Sequence, residues 1–142
     1  MATLTVSNNF KEQMGLGAVD FSSDTFQVIL TYGLTFDPDT HGEYTDVSGS
    51  ELATGAGYTN GGETLSASSA WAQDNTDDRA YIEWSNVTWT ASGDSIGPFD
   101  AAIIYDESHG SDVVVGAIEF DTDITVSDGN DFTLKDLGYD YE

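Results

Sequence analysis

The chain has 142 residues, the usual size of one domain, and a domain this long buries roughly 70% of the surface its unfolded form exposes. Its composition is 39% hydrophobic and 12% aromatic, with three Trp, seven Tyr and seven Phe, which excludes a disordered chain. Twenty-six acidic residues face only Lys11, Arg79 and Lys135, a formal net charge of −23, which excludes the phosphate-backbone contacts of nucleic-acid binding and disfavours an anionic membrane surface.

Residues Ala2 to Val6 alternate Leu4 and Val6 with Thr3 and Thr5, as in a short strand or an extended arm over residues 1–7. Ser7 then stands where an N-cap would start a short helix over Asn8 to Met14, ended by Gly15 or Gly17. From Ser23 the period becomes two, with Phe26, Val28, Leu30 and Tyr32 on one face and Gln27, Ile29 and Thr31 on the other. Phe36 to Tyr44 is a turn-rich loop. Val47 to Glu63 is dense in Gly, Ser and Thr, and its Asn60-Gly61 pair is a hairpin signal.

Leu65 to Ala72 follows as a strand, and Asp74 to Asp78 forms an acidic loop tip. Tyr81 to Thr90 is the clearest β stretch. Ile82 and Trp84 fall on one parity and Val87 and Trp89 on the other, so a bulge near Ser85-Asn86 re-aims the strand or each face meets a partner. Phe99 to Tyr105 and Val113 to Phe120 are apolar runs of strand length that read as a central hairpin. Ile124 and Val126, the Asp128-Gly129 turn, and Phe132 and Leu134 make a last hairpin before an acidic, aromatic tail. With no linker and no internal repeat, residues 1–142 form one mostly β domain. The expected architecture is an antiparallel β-sandwich or jelly-roll-like barrel of seven to nine short strands with one N-terminal helix.

Chemistry is sparse. The absence of cysteine excludes disulfides, thiolate metal sites and cysteine nucleophiles. His41 and His109 lie in polar loops, and no Gly-x-Ser-x-Gly elbow is present, so the expectation is a non-enzymatic protein with no cofactor. Asp121, Asp123, Asp128 and Asp131 place oxygen donors near one another as weak candidates for a structural calcium ion, without EF-hand spacing. Asn86-Val87-Thr88 matches a glycosylation acceptor. Trp84, Trp89, Leu4 and Val6 are candidate interface residues, the two tryptophans serving alternatively as a carbohydrate platform or as core. Met1 to Phe10 has neither a basic nor an apolar signal region, and no apolar run approaches about 18 residues, so neither secretion by a leader nor a membrane span is expected.

Asp24-Thr25-Phe26-Gln27-Val28-Ile29-Leu30 and Gly57-Tyr58-Thr59-Asn60-Gly61-Gly62 come first in a series of turn and strand signatures. Trp89 to Phe99, Ala102-Ile103-Ile104-Tyr105-Asp106, and Asp128-Gly129 before a final strand complete it. In that order, over about Asn9 to Leu134, the chain resembles small structural proteins of tailed phages. The resemblance implies a virion component without catalytic residues. Its expected role is a capsid decoration (cement) protein on the outer head surface, bound to the major capsid protein as a homo-oligomer, with a trimer as the guess. The alternatives are a head–tail connector, tail or vertex-turret component, or a carbohydrate- or receptor-binding module. The acid load resembles that of proteins from salt-loving archaea and implies a haloarchaeal tailed virus.

Overall fold

A computed structural model describes all 142 residues. It is mostly β, with ten antiparallel strands rather than seven to nine: β1 (Thr5–Val6), β2 (Phe26–Thr31), β3 (Glu63–Thr64), β4 (Ala67–Asp74), β5 (Arg79–Trp84), β6 (Val87–Thr90), β7 (Ile96–Asp106), β8 (Val114–Val126), β9 (Asp131–Leu134) and β10 (Gly138–Tyr141). They form a five-stranded sheet in the order β1-β8-β7-β2-β3, a three-stranded sheet β10-β5-β4, and a two-stranded ribbon β6-β9. One face of the large sheet contributes Phe26, Val28, Leu30, Ala102, Ile104 and Val115 to the main core. Ile82 and Trp84 of β5, Trp89 of β6 and Leu134 of β9 close it from the opposite layer, which makes a sandwich.

The N-terminal helix, α1 (Asn8–Gly15), forms where expected. The Ser7 hydroxyl accepts the Phe10 N–H at 3.5 Å, and Gly17, with φ of 71°, turns the chain out of the helix. Phe10 is fully buried and meets the Tyr139 ring edge-on at 5.1 Å, which locks α1 onto the sandwich. A second, four-residue helix, α2 (Tyr44–Val47), lies in the loop after β2 and was not anticipated. No helix is long and apolar enough to cross a membrane.

The central hairpin is borne out and is longer than the apolar runs suggested. β7 and β8 pair from Ile96 opposite Val126 to Tyr105 opposite Val114. Between the pairs Phe99–Ile124 and Ala101–Glu119, β7 advances two residues and β8 five, so β8 bulges by three residues at its acidic segment. Ile29, Ile103, Tyr105 and Val114 point to the other face of this sheet, where Phe36 and Val47 of the β2–β3 connection cover them. β2 is thus buried on both sides, although its alternation suggested one apolar face.

Three local expectations change. Asp128-Gly129 does turn the chain, but β9 pairs with β6 instead of folding back on β8. The backbone bonds Gly129 N–H to Ala91 O and Ala91 N–H to Asn130 O hold that crossing. Asn60-Gly61 makes a turn without a hairpin. A tight turn closed by a reciprocal backbone bridge lies at Gly55–Tyr58, through Ala56 (φ 55°) and Gly57 (φ 97°), where a side chain in place of Gly57 would also strike the Thr90 carbonyl. The parity switch at Ser85-Asn86 is a full break, and β5 and β6 enter different sheets with both tryptophans facing the same core.

Residues 1–7 are part of the domain. Thr5 and Val6 pair with Ala117 and Gly116 of β8, and the Ala2 N–H donates to the Asp136 carbonyl at 2.7 Å. Leu4 and Val6 pack half-buried against the main core.

Candidate functional site

Two carboxylates sit in contrasting surroundings. Glu51 accepts the Tyr58 hydroxyl (2.8 Å) and the Gly61 N–H (2.6 Å) on one oxygen and the Tyr44 hydroxyl (2.5 Å) on the other. The Tyr58 oxygen in turn accepts the Leu30 N–H of β2 at 3.1 Å. Burial, reinforced by the neighbouring carboxylate, pushes the Tyr44 and Tyr58 hydroxyls above their ordinary range. Tyr105 stacks on Tyr44 at 4.7 Å and donates to the Gly61 carbonyl; burial lifts its hydroxyl to about 12. Phenols held this firmly neutral act as hydrogen-bond donors, and the network ties the long β2–β3 connection to the sheet.

Asp106 is fully buried at the end of β7. Its Oδ1 accepts the Ser108 and His109 N–H groups at 2.9 and 3.2 Å, while Oδ2 has no protein donor and faces the carboxyl of Asp24. Burial, with the Asp24 carboxyl beside it, raises Asp106 to about 7. His109 uses its Nδ1 to accept the Ser111 N–H, and His41 accepts the Asp37 N–H and meets the Phe36 ring at a tilt of 43°. Each histidine is engaged in closing its own loop.

The four aspartates proposed as cation ligands separate. Asp121 and Asp123 project from the β8 bulge, where Asp123 accepts the Tyr32 hydroxyl at 3.3 Å. Asp128 accepts the Gly93 N–H and Asp131 the Thr90 hydroxyl, each at the β6–β9 end. No group of three or more Asp, Glu or His side chains is gathered to hold a metal ion. Two further carboxylates serve turns: Asp20 accepts the Ser22 hydroxyl and N–H, and Asp74 accepts the Thr76 and Asp77 N–H groups. These bonds lower both carboxyls below their usual range.

The tryptophan expectation is corrected. Trp84 is 4% exposed and Trp89 2%, so neither offers a ring face to a partner or a sugar. The Trp89 ring packs on Phe132 at 6.1 Å, and its buried indole N–H meets no protein acceptor. The half-buried Trp71, which alternation on β4 did not single out, stacks on Phe21 at 4.8 Å and joins the Phe10–Tyr139 cluster. Asn86 is exposed, at the break between β5 and β6 rather than within a strand.

Charge is distributed unevenly. Arg79 alone forms ion pairs, with Asp74, Asp77 and Asp140, so most of the 26 acids have no cation beside them. Yet residues 52–73 carry a single charge, Glu63, and residues 85–93 carry none. The fold joins these two segments. The Ser85 N–H donates to the Ser66 carbonyl at 2.8 Å and the Ser92 N–H to the Ala56 carbonyl at 3.0 Å. Ala53, Thr59, Ser66, Ala70, Asn86 and Thr88 are all exposed along this Ser/Thr/Ala surface. A polar-lined cleft of about 430 Å³ opens beside it, between Ser68, Glu83, Ser85, Asn86 and Asp136. This charge-poor surface was missed from sequence, because its two halves are separated by the charged β4–β5 turn; the run 52–73 was its one linear trace. No family model, curated protein or solved structure matches this chain.

Proposed function

We propose that this protein is a non-enzymatic structural subunit of a tailed-virus particle, acting as a decoration protein on the outer surface of the head. The observation that carries the reading is the charge pattern: an acid excess poorly offset by cations, with residues 52–73 and 85–93 carrying only Glu63 between them. That pattern suits a subunit that packs by one side on an assembly and presents the rest to solvent. Negative charge keeps such a subunit from packaged DNA and keeps finished particles apart. Membership of a virion rests on the ordered signatures from Asp24 to Leu134 that resemble tailed-phage structural proteins. The major capsid protein is the proposed partner, and molar salt the proposed environment.

Antibody raised against the folded chain, with immunogold microscopy and quantitative gels of purified particles, reads both position and copy number. Label over the head at a copy number near that of the major capsid protein is expected. A dozen or fewer copies would move the protein to the portal, tail or vertices. Absence from the particles would remove the virion reading.

A further inference from the structure

Asn60-Gly61 carries a chemistry of its own. The main-chain nitrogen that follows an asparagine attacks the side-chain amide when the two meet, and a following glycine leaves that nitrogen least crowded. Asn60 alone among the asparagines precedes glycine; Asn8, Asn9, Asn75, Asn86 and Asn130 all precede residues with side chains. Asn60 is also exposed to water. The folded loop nevertheless holds the pair in the wrong shape for the reaction. The Gly62 N–H donates to the Thr59 carbonyl at 3.0 Å, and of the two central residues only Gly61 has a positive φ, 97°, so residues 59–62 form a type II turn. Such a turn sets ψ of its first central residue, here Asn60, at about +120°. Ring closure requires the Gly61 nitrogen to swing a third of a turn further, onto the side of the Asn60 side chain. That swing breaks the turn's own bond and the 2.6 Å bond from the Gly61 N–H to Glu51 Oε1. The Tyr105 hydroxyl on the Gly61 carbonyl (2.9 Å) and the Thr54 hydroxyl on the Asn60 N–H (2.9 Å) hold the two ends of the segment.

We propose that Asn60 is a latent deamidation site, kept closed in the folded chain by the Glu51 clamp and released when the β2–β3 connection opens locally. In the opened loop the Gly61 nitrogen bonds to Cγ of Asn60, the Cγ–Nδ2 bond breaks, and ammonia leaves with the proton given up by Gly61. Water then opens the five-membered imide at either carbonyl, which yields aspartate or isoaspartate. Both products replace the Asn60 amide, which donates to the Leu52 carbonyl at 3.4 Å, by a carboxylate that repels it. Isoaspartate also lengthens the main chain by one carbon, where the fold has no room: a Cβ at Gly62 would already sit 2.0 Å from the Val28 carbonyl oxygen. The modified loop therefore cannot close again, and each opened chain carries a permanent mark.

This inference rests on the loop geometry and is independent of the virion reading. Peptide mapping of the whole chain after incubation at pH 8 in 2 M NaCl tests it, reading a gain of one dalton at Asn60 together with enzymatic detection of isoaspartate. The folded chain is expected to deamidate there at least tenfold more slowly than a synthetic peptide of residues 56–65 in the same buffer. Glu51→Ala removes the clamp and is expected to raise the rate at least tenfold while the far-ultraviolet spectrum stays β. Where that variant unfolds, Tyr105→Phe, which frees the Gly61 carbonyl, carries the same test with at least a threefold rise. A folded chain that deamidates as fast as the peptide overturns the proposal. So does a folded clamp variant that deamidates no faster than the wild type, and a slower one would make Glu51 the base of the reaction instead of its clamp.

Discussion

At the scale of single residues, identical chemistry diverges through its surroundings. Glu51 and Asp106 are both carboxyls that accept backbone N–H groups, but Glu51 gathers three donors whereas Asp106 leaves Oδ2 facing Asp24. Burial, with the Asp24 carboxyl beside it, raises Asp106 to about 7, against about 3.9 for an unfolded carboxyl. Between about pH 4 and 7 the folded chain therefore holds a proton that the unfolded chain has released. Stability falls as pH rises through that window and levels off above it. Asp106→Asn keeps the acceptor for Ser108 and His109 and supplies Asp24 with a donor. Thermal melts of the variant should show a flatter profile from pH 4 to 7 and a gain of about 1–3 kcal/mol at pH 8. A variant that follows the wild-type profile would refute the assignment of this pH dependence to Asp106. None of this could be read along the chain, where Asp106 is one acid among 26 and Asp24 stands 82 positions away.

At the scale of elements, local signals predict local structure. The Ser7 cap, the α1 helix and the β7–β8 hairpin follow from contacts within a few residues or across one turn, and each forms as the pattern implies. The first strand depends on a longer-range fit. β1 lies so close to β8 that a Cβ at Gly116 would sit 2.3 Å from the Thr5 carbonyl oxygen. Gly116→Ala is therefore expected to displace residues 1–6, at a cost of about 1–3 kcal/mol, while the two-layer fold persists. Rapid proteolysis before Ser7 with a retained near-ultraviolet signal from the buried aromatics would show it, and unchanged protection of the arm would rule it out. β9 and β10 illustrate the same dependence. β9 was legible as a strand and β10 only as an acidic, aromatic tail, and their partners β6 and β5 lie some 40 to 60 residues away, beyond the reach of any turn signature.

At the scale of the whole molecule, the excess of acid sets the behaviour in salt. Arg79 is the one cation in ion pairs, while Lys11 accompanies Asn8 and Lys135 is exposed, so the repulsion is not offset within the fold. Raising salt shortens the screening length to about 3 Å near 1 M and relieves it. Each kcal/mol so gained raises the melting temperature by about 4 °C for a chain of this size. A clear rise between 0.1 and 2 M NaCl is the expected result, and an unchanged melting temperature would remove the high-salt argument.

The linear order of residues by itself determined the β class, the capped N-terminal helix, the central hairpin and the total charge. These depend on short-range alternation, on one cap, or on a sum over residues. Only the tertiary structure decided that Trp84 and Trp89 are core, that the four candidate aspartates do not converge, and that the charge-poor segments 52–73 and 85–93 lie side by side. Burial and convergence are set by which distant strands pair. That choice is made by packing the whole sandwich at once, and no short window of the chain contains it.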